Sequence, residues 1–194
     1  DFIDSSSSSG MRVYVRTLSM VLAKAVSELY PNAILQIEHP ISKGYYCKLE
    51  NLKQDLTPEL ILQIKERVNL IISQGKRIYT EEKQTNEVKE LFANQALQKD
   101  KIALFETLGT PYCRFFFFFY FIDYYNGVLM PTTDYLRIFD LVPYYDGMLL
   151  RVPNRENPVE LEEIVGQPKI FDIFKEYMGW NKIMNLNNVG EFNV

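Results

Sequence analysis

The feature with the strongest bearing on the fold of this chain is an unbroken apolar run, FFFFFYFI, at residues 115–122. A charged residue stands at each end of the run, Arg114 before it and Asp123 after it. The run is far shorter than the roughly 20 apolar residues that a helix needs to span a membrane. A short continuous apolar run is typical of a strand that is buried on both faces of its sheet. We therefore predict a long central strand over residues 114–125.

The remaining composition is that of a globular domain of ordinary size. Of the 194 residues, 47% are hydrophobic and 24% are charged, which allows a sizeable core. The net charge of −4 argues against a nucleic-acid partner, because phosphate binding depends mainly on clustered lysine and arginine. The first ten residues, DFIDSSSSSG, lack the basic and apolar regions of a signal peptide. We expect a cytoplasmic protein with no membrane partner.

The two cysteines, Cys47 and Cys113, are far apart and form no Cys-x-x-Cys pattern. Two buried thiols in a reducing compartment are the favoured interpretation, and a disulfide is the alternative.

Helical and extended patterns follow one another without regular strand–helix alternation, which predicts an α+β fold with an antiparallel sheet packed against helices. The clearest helix start is Thr57-Pro58-Glu59, with threonine as the cap and proline in the first turn. Helices are predicted over residues 18–29, 58–74, 81–95, 99–108 and 170–178. Strands are predicted over residues 11–15, 33–37, 45–49, 76–80, 114–125, 135–142 and 148–152.

Aromatic residues are unusually frequent, with 13 tyrosines and 13 phenylalanines, and many lie between residues 115 and 145. One interpretation is a platform on which nucleic-acid bases stack. The favoured interpretation is a densely packed sheet with tyrosine hydroxyls at its rim.

The sequence contains no complete catalytic or metal-binding set. Its single histidine, His39, cannot form a site that needs several histidine ligands. A hydrolase that pairs His39 with a serine or cysteine is an alternative hypothesis. The only Gly-Lys pair, Gly75-Lys76, is followed by Arg77, and Leu70 stands where a phosphate-binding loop needs its first glycine. We therefore predict that this chain alone is not an enzyme and binds no metal or cofactor itself.

The order of several short motifs resembles the second N-terminal domain of threonyl-tRNA synthetases, which is shared with alanyl-tRNA synthetase. The resemblance covers most of residues 11–152 and is carried by the order and spacing of the motifs. These are LAKAV at 22–26, LYPNA at 29–33, GYY at 44–46, LTPE at 56–59, FID at 121–123 and PTT at 131–133. The resemblance implies the editing-domain fold, in which the family hydrolyses mischarged tRNA.

The resemblance also implies where the reactive residues of the family would lie. Its His-x-x-x-His pair falls on Arg16 and Met20, and its later cysteine and histidine fall on Tyr125 and Leu129. Methionine and leucine have no group that can accept a proton, and an arginine stays protonated at neutral pH. We expect that editing activity is absent and that these four positions form a degenerate site.

A second resemblance is to bacterial uridine kinases, which carry a threonyl-synthetase-like region ahead of a phosphate-loop kinase domain. It is carried by SSGMRVYVR at 8–16, GVLMPTT at 127–133 and the stretch 170–192. It implies that residues 1–10 end a preceding segment or linker, 11–155 form the editing-like domain, and 156–194 extend toward the kinase domain. ATP, Mg²⁺ and nucleoside would bind in that kinase domain, which we expect beyond Val194 in a longer protein.

We therefore predict a non-catalytic accessory or regulatory domain of a uridine kinase, whose partners are its own kinase domain and possible further copies of itself. The alternative is a degenerate editing-like pocket that still binds a nucleotide or RNA. The residues expected to line that pocket are Arg16, Lys43, Tyr46, Arg114, Tyr125 and Arg151.

Overall fold

A computed structural model describes residues 7–41, 44–93, 99–153 and 160–161. Its helices are α1 (Ser8–Leu29), α2 (Pro58–Ser73), α3 (Thr85–Ala93) and α4 (Lys99–Leu108), with one 3-10 turn at Thr133–Tyr135. Its strands are β1 (Ile34–Ile41), β2 (Gly44–Glu50), β3 (Tyr79–Gln84), β4 (Tyr112–Phe118), β5 (Phe121–Asp123), β6 (Asp140–Tyr144) and β7 (Gly147–Arg151). The predicted helix over residues 170–178 lies outside the described residues.

The strands form two antiparallel sheets, and the predicted α+β class is confirmed. The first sheet has the order β1-β2-β7-β6, and the second has the order β3-β4-β5. One apolar core joins α1 and α2 to the first sheet and to one side of β4. A smaller core joins α3 and α4 to the other side of β4. Among the predicted site residues, Tyr46 and Arg151 lie in the first sheet and Arg114 lies in the second.

The predicted strand over residues 11–15 is wrong, because this segment is the first half of α1. The Ser7 hydroxyl caps the helix by accepting a hydrogen bond from the Gly10 amide at 3.0 Å. Buried Val13 and Tyr14 extend the apolar face of the later turns toward the N-terminus. The Tyr14 hydroxyl also donates to the carbonyl of Ile138 at 2.7 Å, which ties this half of the helix to a distant loop. The packing of this face therefore makes the segment helical, although its alternating pattern favoured a strand.

The apolar run folds as a hairpin rather than as one long strand. Phe119 has a positive φ of 53° and Tyr120 is 97% exposed, so the chain turns there between β4 and β5. The part within β4 is buried on both faces, as predicted: Phe116 and Phe118 face the main core, and Phe115 faces the smaller one. The aromatic side chains here serve packing, which agrees with the favoured interpretation.

Several other boundaries differ from the predictions. The strand expected at 76–80 is β3 and runs to Gln84, so the following helix begins at Thr85 instead of residue 81. The Thr85 hydroxyl bonds to the carbonyl of Thr110 at 2.5 Å, which helps to fix this start. The strand expected at 135–142 begins only at Asp140, after the 3-10 turn.

Both cysteines are buried free thiols, as the sequence predicted. Cys47 is fully buried in β2, and burial raises the pKa of its thiol from 9.0 to about 12. Burial likewise raises the pKa of the Tyr14 hydroxyl from 10.0 to about 12. Both side chains are therefore held in their neutral forms.

Alkaline pH is expected to destabilise the fold through Cys47. The folded-state pKa is raised, so the contribution of the thiol is complete below its unfolded pKa and is lost as pH rises toward the folded value. Between pH 7 and pH 10 the free energy of unfolding should fall by about 1 kcal/mol more in the native chain than in Cys47→Ala. Urea denaturation at both pH values checks this, and equal slopes for the two proteins would contradict it.

Candidate functional site

The two segments that the resemblance brings together do meet in the structure. The first half of α1 lies against the loop after β5, and the Met130 amide donates to the Thr17 hydroxyl oxygen at 2.9 Å. The Thr17 hydroxyl in turn donates to the carbonyl of Val13 at 2.7 Å, so it links helix and loop. Residues more than a hundred positions apart in sequence thus form one region.

Arg16 lies in this region against Gly127. A Cβ atom at Gly127 would come within 2.5 Å of Nη1 and 2.9 Å of Cζ of Arg16. Gly127 also has a positive φ of 122°, a conformation that is nearly restricted to glycine. The guanidinium of Arg16 therefore occupies the space that a side chain at position 127 would need.

Met20 and Leu129 have become core residues. Met20 is fully buried within the main core, and Leu129 packs against the same core. Thioether and alkyl groups cannot activate water, and their packing here accounts for both side chains.

Tyr125 is held by a buried ion pair. The Asp123 carboxylate accepts a hydrogen bond from the Tyr125 hydroxyl, and burial together with this carboxylate raises the pKa of Tyr125 well above 10.0. Asp123 is itself 3% exposed and pairs with the Lys101 ammonium at 3.0 Å. The same ammonium lies 5.2 Å from the centre of the Tyr125 ring. Tyr125 is therefore a fixed hydrogen-bonded phenol and a poor nucleophile at neutral pH.

A groove runs beside this network, between the start of β4 and the loop after β5. Its volume is about 310 Å³, within the lower range of small-molecule sites. It brings together two of the predicted ligand residues, Arg114 and Tyr125. We call it the Tyr125 groove, and its lining residues are Glu82, Thr110, Tyr112, Cys113, Arg114, Tyr124, Tyr125, Gly127 and Val128.

Charged and reactive groups at the Tyr125 groove are few. Exposed Arg114 forms an ion pair with Glu82, with 3.6 Å between Nη2 and Oε2. Burial and the nearby Glu82 carboxylate raise the pKa of the Cys113 thiol, so it is not activated as a nucleophile. The lining can hold a ligand by charge and ring contacts, but it lacks a base and nucleophile pair.

Two other predicted ligand residues lie elsewhere. Tyr46 is buried in β2 and its hydroxyl donates to Asp146 at 2.5 Å, while Arg151 in β7 pairs with Asp140 at 3.5 Å. Both belong to the first sheet and neither lines the Tyr125 groove. Lys43 and the side chain of His39 lie outside the described residues. The six predicted ligand residues thus do not form one described pocket.

Sequence reasoning missed Lys101 and, as a functional residue, Asp123. Asp123 was visible as the charge that ends the apolar run, which is a signal for a buried carboxylate. Lys101 had no comparable signal, because its role depends on how α4 packs against the loop after β5.

Gly127→Ala is expected to lower the free energy of unfolding by about 3 kcal/mol, mainly from backbone strain at its φ of 122°, because the Arg16 guanidinium lies at the end of a flexible side chain and can move. Gly109 is a matched control, because its φ is also positive (61°) but a Cβ there would meet nothing within 4 Å. Gly109→Ala should lose about 1 kcal/mol. Chemical denaturation of both variants measures the difference, and equal losses would show that the backbone at position 127 is no more restricted than the backbone at position 109.

No protein-family model matches the chain. Parts of it are similar to threonine–tRNA ligases. The ligase of Dehalococcoides mccartyi is 31% identical over 87 residues, which are 45% of this chain and 15% of the ligase. The ligase of Xanthomonas campestris pv. campestris is 23% identical over 141 residues, 72% of this chain and 22% of the ligase. The ligase of Thermobifida fusca is 37% identical over 71 residues, 37% of this chain and 11% of the ligase.

The chain therefore contains a threonyl-tRNA synthetase-like region, and its antiparallel sheets and helices are consistent with an editing-like domain. It spans less than a quarter of the length of these ligases. Among the described residues, no three histidine, cysteine or acidic side chains are grouped to hold a metal ion. Within that same part of the chain, no helix has the length and apolar character needed to cross a membrane.

Proposed function

We propose that this chain is an editing-like domain that has lost hydrolysis and serves as an accessory domain. The observation that carries the proposal is the surroundings of the four residues that stand where the editing family keeps its reactive side chains. Met20 and Leu129 are packed in the core, the Arg16 guanidinium lies against Gly127, and the Tyr125 hydroxyl is hydrogen-bonded to Asp123. None of these groups supplies a general base at neutral pH.

The chain should not release amino acid from mischarged tRNA above the uncatalysed rate. Deacylation of mischarged threonine tRNA by the purified chain tests this, with a threonine–tRNA ligase as the positive control. Any catalysis by the native chain above the uncatalysed rate would overturn the proposal, and its survival in Tyr125→Phe and Arg16→Gln would point to a different hydrolytic set.

The accessory role proposed here is regulation or positioning for an attached uridine kinase domain, with ATP and Mg²⁺ bound by that domain. This finer step is supported by the resemblance of residues 8–16, 127–133 and 170–192 to uridine kinases. Deleting the editing-like domain from the full-length protein should change either the kinetics of uridine phosphorylation or the oligomeric state. Unchanged kinetics and an unchanged mass in solution would reject the accessory role.

A second candidate function is retained binding of a nucleotide or RNA. The observation that favours it is the Tyr125 groove, which places Arg114 among the rings of Tyr112, Tyr124 and Tyr125. Titration of the chain with nucleotides and with tRNA tests this candidate, and no saturable heat from any of them would reject it. The net charge of −4 favours a small nucleotide over tRNA.

A further inference from the structure

The unusual group beside the Tyr125 groove is the guanidinium of Arg16. It is half-buried, and it forms no ion pair or hydrogen bond with any residue that the structure describes. A partly desolvated charge without a partner is costly, so structural cations are normally paired. A guanidinium without a partner among the described residues, at the position of a lost reactive residue, is better explained as a contact for a ligand.

Arg16 does not itself line the groove, but its guanidinium lies against Gly127, which does. The glycine lines the groove and also contacts the Arg16 guanidinium, because no side chain separates the two. A larger residue at position 127 would push the guanidinium away. Arg16 is therefore available to a ligand that enters the groove along Gly127.

The charges around the groove leave an excess of positive charge for such a ligand. Asp123 is neutralised by Lys101 at 3.0 Å, and Glu82 is shared with Arg114 at 3.6 Å. Arg16, which lies against Gly127 beside the groove, has no carboxylate partner among the described residues. The planar fork of a guanidinium matches the paired oxygens of a phosphate group.

We infer that Arg16 and the Tyr125 groove form a binding site for a phosphate monoester, with the phosphate group on Arg16. This inference rests on the second proposed function, ligand binding in the groove. It also fits the accessory role, since a nucleoside kinase converts a neutral nucleoside into a phosphate monoester. The domain would then distinguish the product of its kinase from the substrate by charge.

Isothermal titration of the 194-residue chain with uridine monophosphate, uridine and inorganic phosphate tests the inference. Uridine monophosphate should bind at least tenfold more tightly than either of the others, because it contacts both Arg16 and the rings of the groove. Equal binding of uridine and its monophosphate would overturn the inference. Inorganic phosphate that binds as tightly as the monophosphate would also overturn it, because the groove would then contribute nothing to the affinity.

Variants of Arg16 locate the effect. Arg16→Gln should weaken binding of the monophosphate roughly tenfold to a hundredfold. Arg16→Lys should weaken this binding less, because the positive charge stays but the planar fork of the guanidinium is lost. Arg12→Gln is the matched control, since Arg12 is an exposed arginine one turn earlier on α1. Thermal melts of each variant show whether it is folded. Native affinity in folded Arg16→Gln would overturn the inference.

The outcomes also separate this inference from the proposed functions. Binding of uridine and its monophosphate with equal affinity, unaffected by Arg16→Gln, would leave ligand binding in the groove standing without the Arg16 phosphate contact. No binding of any probe would reject both the inference and the second candidate function. Neither result would alter the accessory role, which is tested by deacylation and by the kinetics and oligomeric state of the full-length protein.

Discussion

Lys101→Met is expected to lower the free energy of unfolding by about 3 kcal/mol, because it leaves the Asp123 carboxylate buried without its counter-charge. The Asp123 side chain is 5% exposed and its nearest cation is Lys101, at 3.0 Å. The same carboxylate accepts from the Tyr124 amide at 2.7 Å, so it cannot turn outward without breaking a second contact. The loss should be measurable as a shift of the urea midpoint.

Substitution of the other member of the ion pair should lower the free energy of unfolding by less. Asp123→Asn keeps an oxygen for the Tyr124 amide, and Lys101, whose side chain is 25% exposed, can extend into water. We expect a loss of about 1–2 kcal/mol and a double variant that is less destabilised than the sum of the two. Lys83→Met is the matched control, because Lys83 pairs with Glu81 at the surface and should change stability by less than about 0.5 kcal/mol. Equal effects of Lys101→Met and Lys83→Met would contradict the buried-pair explanation.

Phe118→Ala is expected to lower the free energy of unfolding by about 3–5 kcal/mol. Phe118 is fully buried where β4 meets the main core, and its ring stacks edge-on with Phe121 at 6.4 Å between centroids. The ring also lies 5.6 Å from the ammonium of Lys24, a cation that is itself 7% exposed. Truncation would therefore leave a cavity and would remove a favourable contact of a buried cation.

Tyr120 provides the control on the same hairpin. It is 97% exposed, so Tyr120→Ala should change stability by less than about 0.5 kcal/mol. Denaturation of both variants, followed by far-UV circular dichroism, gives the comparison. Similar losses in the two variants would mean that the hairpin tip does not pack as the structure shows.

Local sequence signals determined several elements of this fold. The start of α2 needs only the Thr57 cap and the proline of its first turn, and the Thr57 hydroxyl oxygen does accept from the Leu60 amide at 3.4 Å. The hairpin of β1 and β2 follows from two short strand patterns separated by a loop. These signals operate within a few residues, so they do not depend on the rest of the chain.

The turn at Phe119 was outside the reach of such signals. A turn with positive φ normally shows glycine or asparagine, but here it falls inside an apolar run. Phe119 lies between the ammonium groups of Lys24 and Lys76, at 5.2 and 5.5 Å from its ring. These lysines come from α1 and from the segment after α2, so tertiary contacts accompany the backbone conformation.

For the candidate site, the residue types alone show which reactive groups are missing, since Met20 and Leu129 carry no acid–base group in any fold. The resemblance of two distant segments also placed Arg16 and Tyr125 together. The packing of distant segments places Arg16 against Gly127, fixes Tyr125 through Asp123 and Lys101, and puts Tyr46 and Arg151 in another sheet. Residue type limits the chemistry of a position, whereas partners, burial and charge balance arise only when distant segments pack.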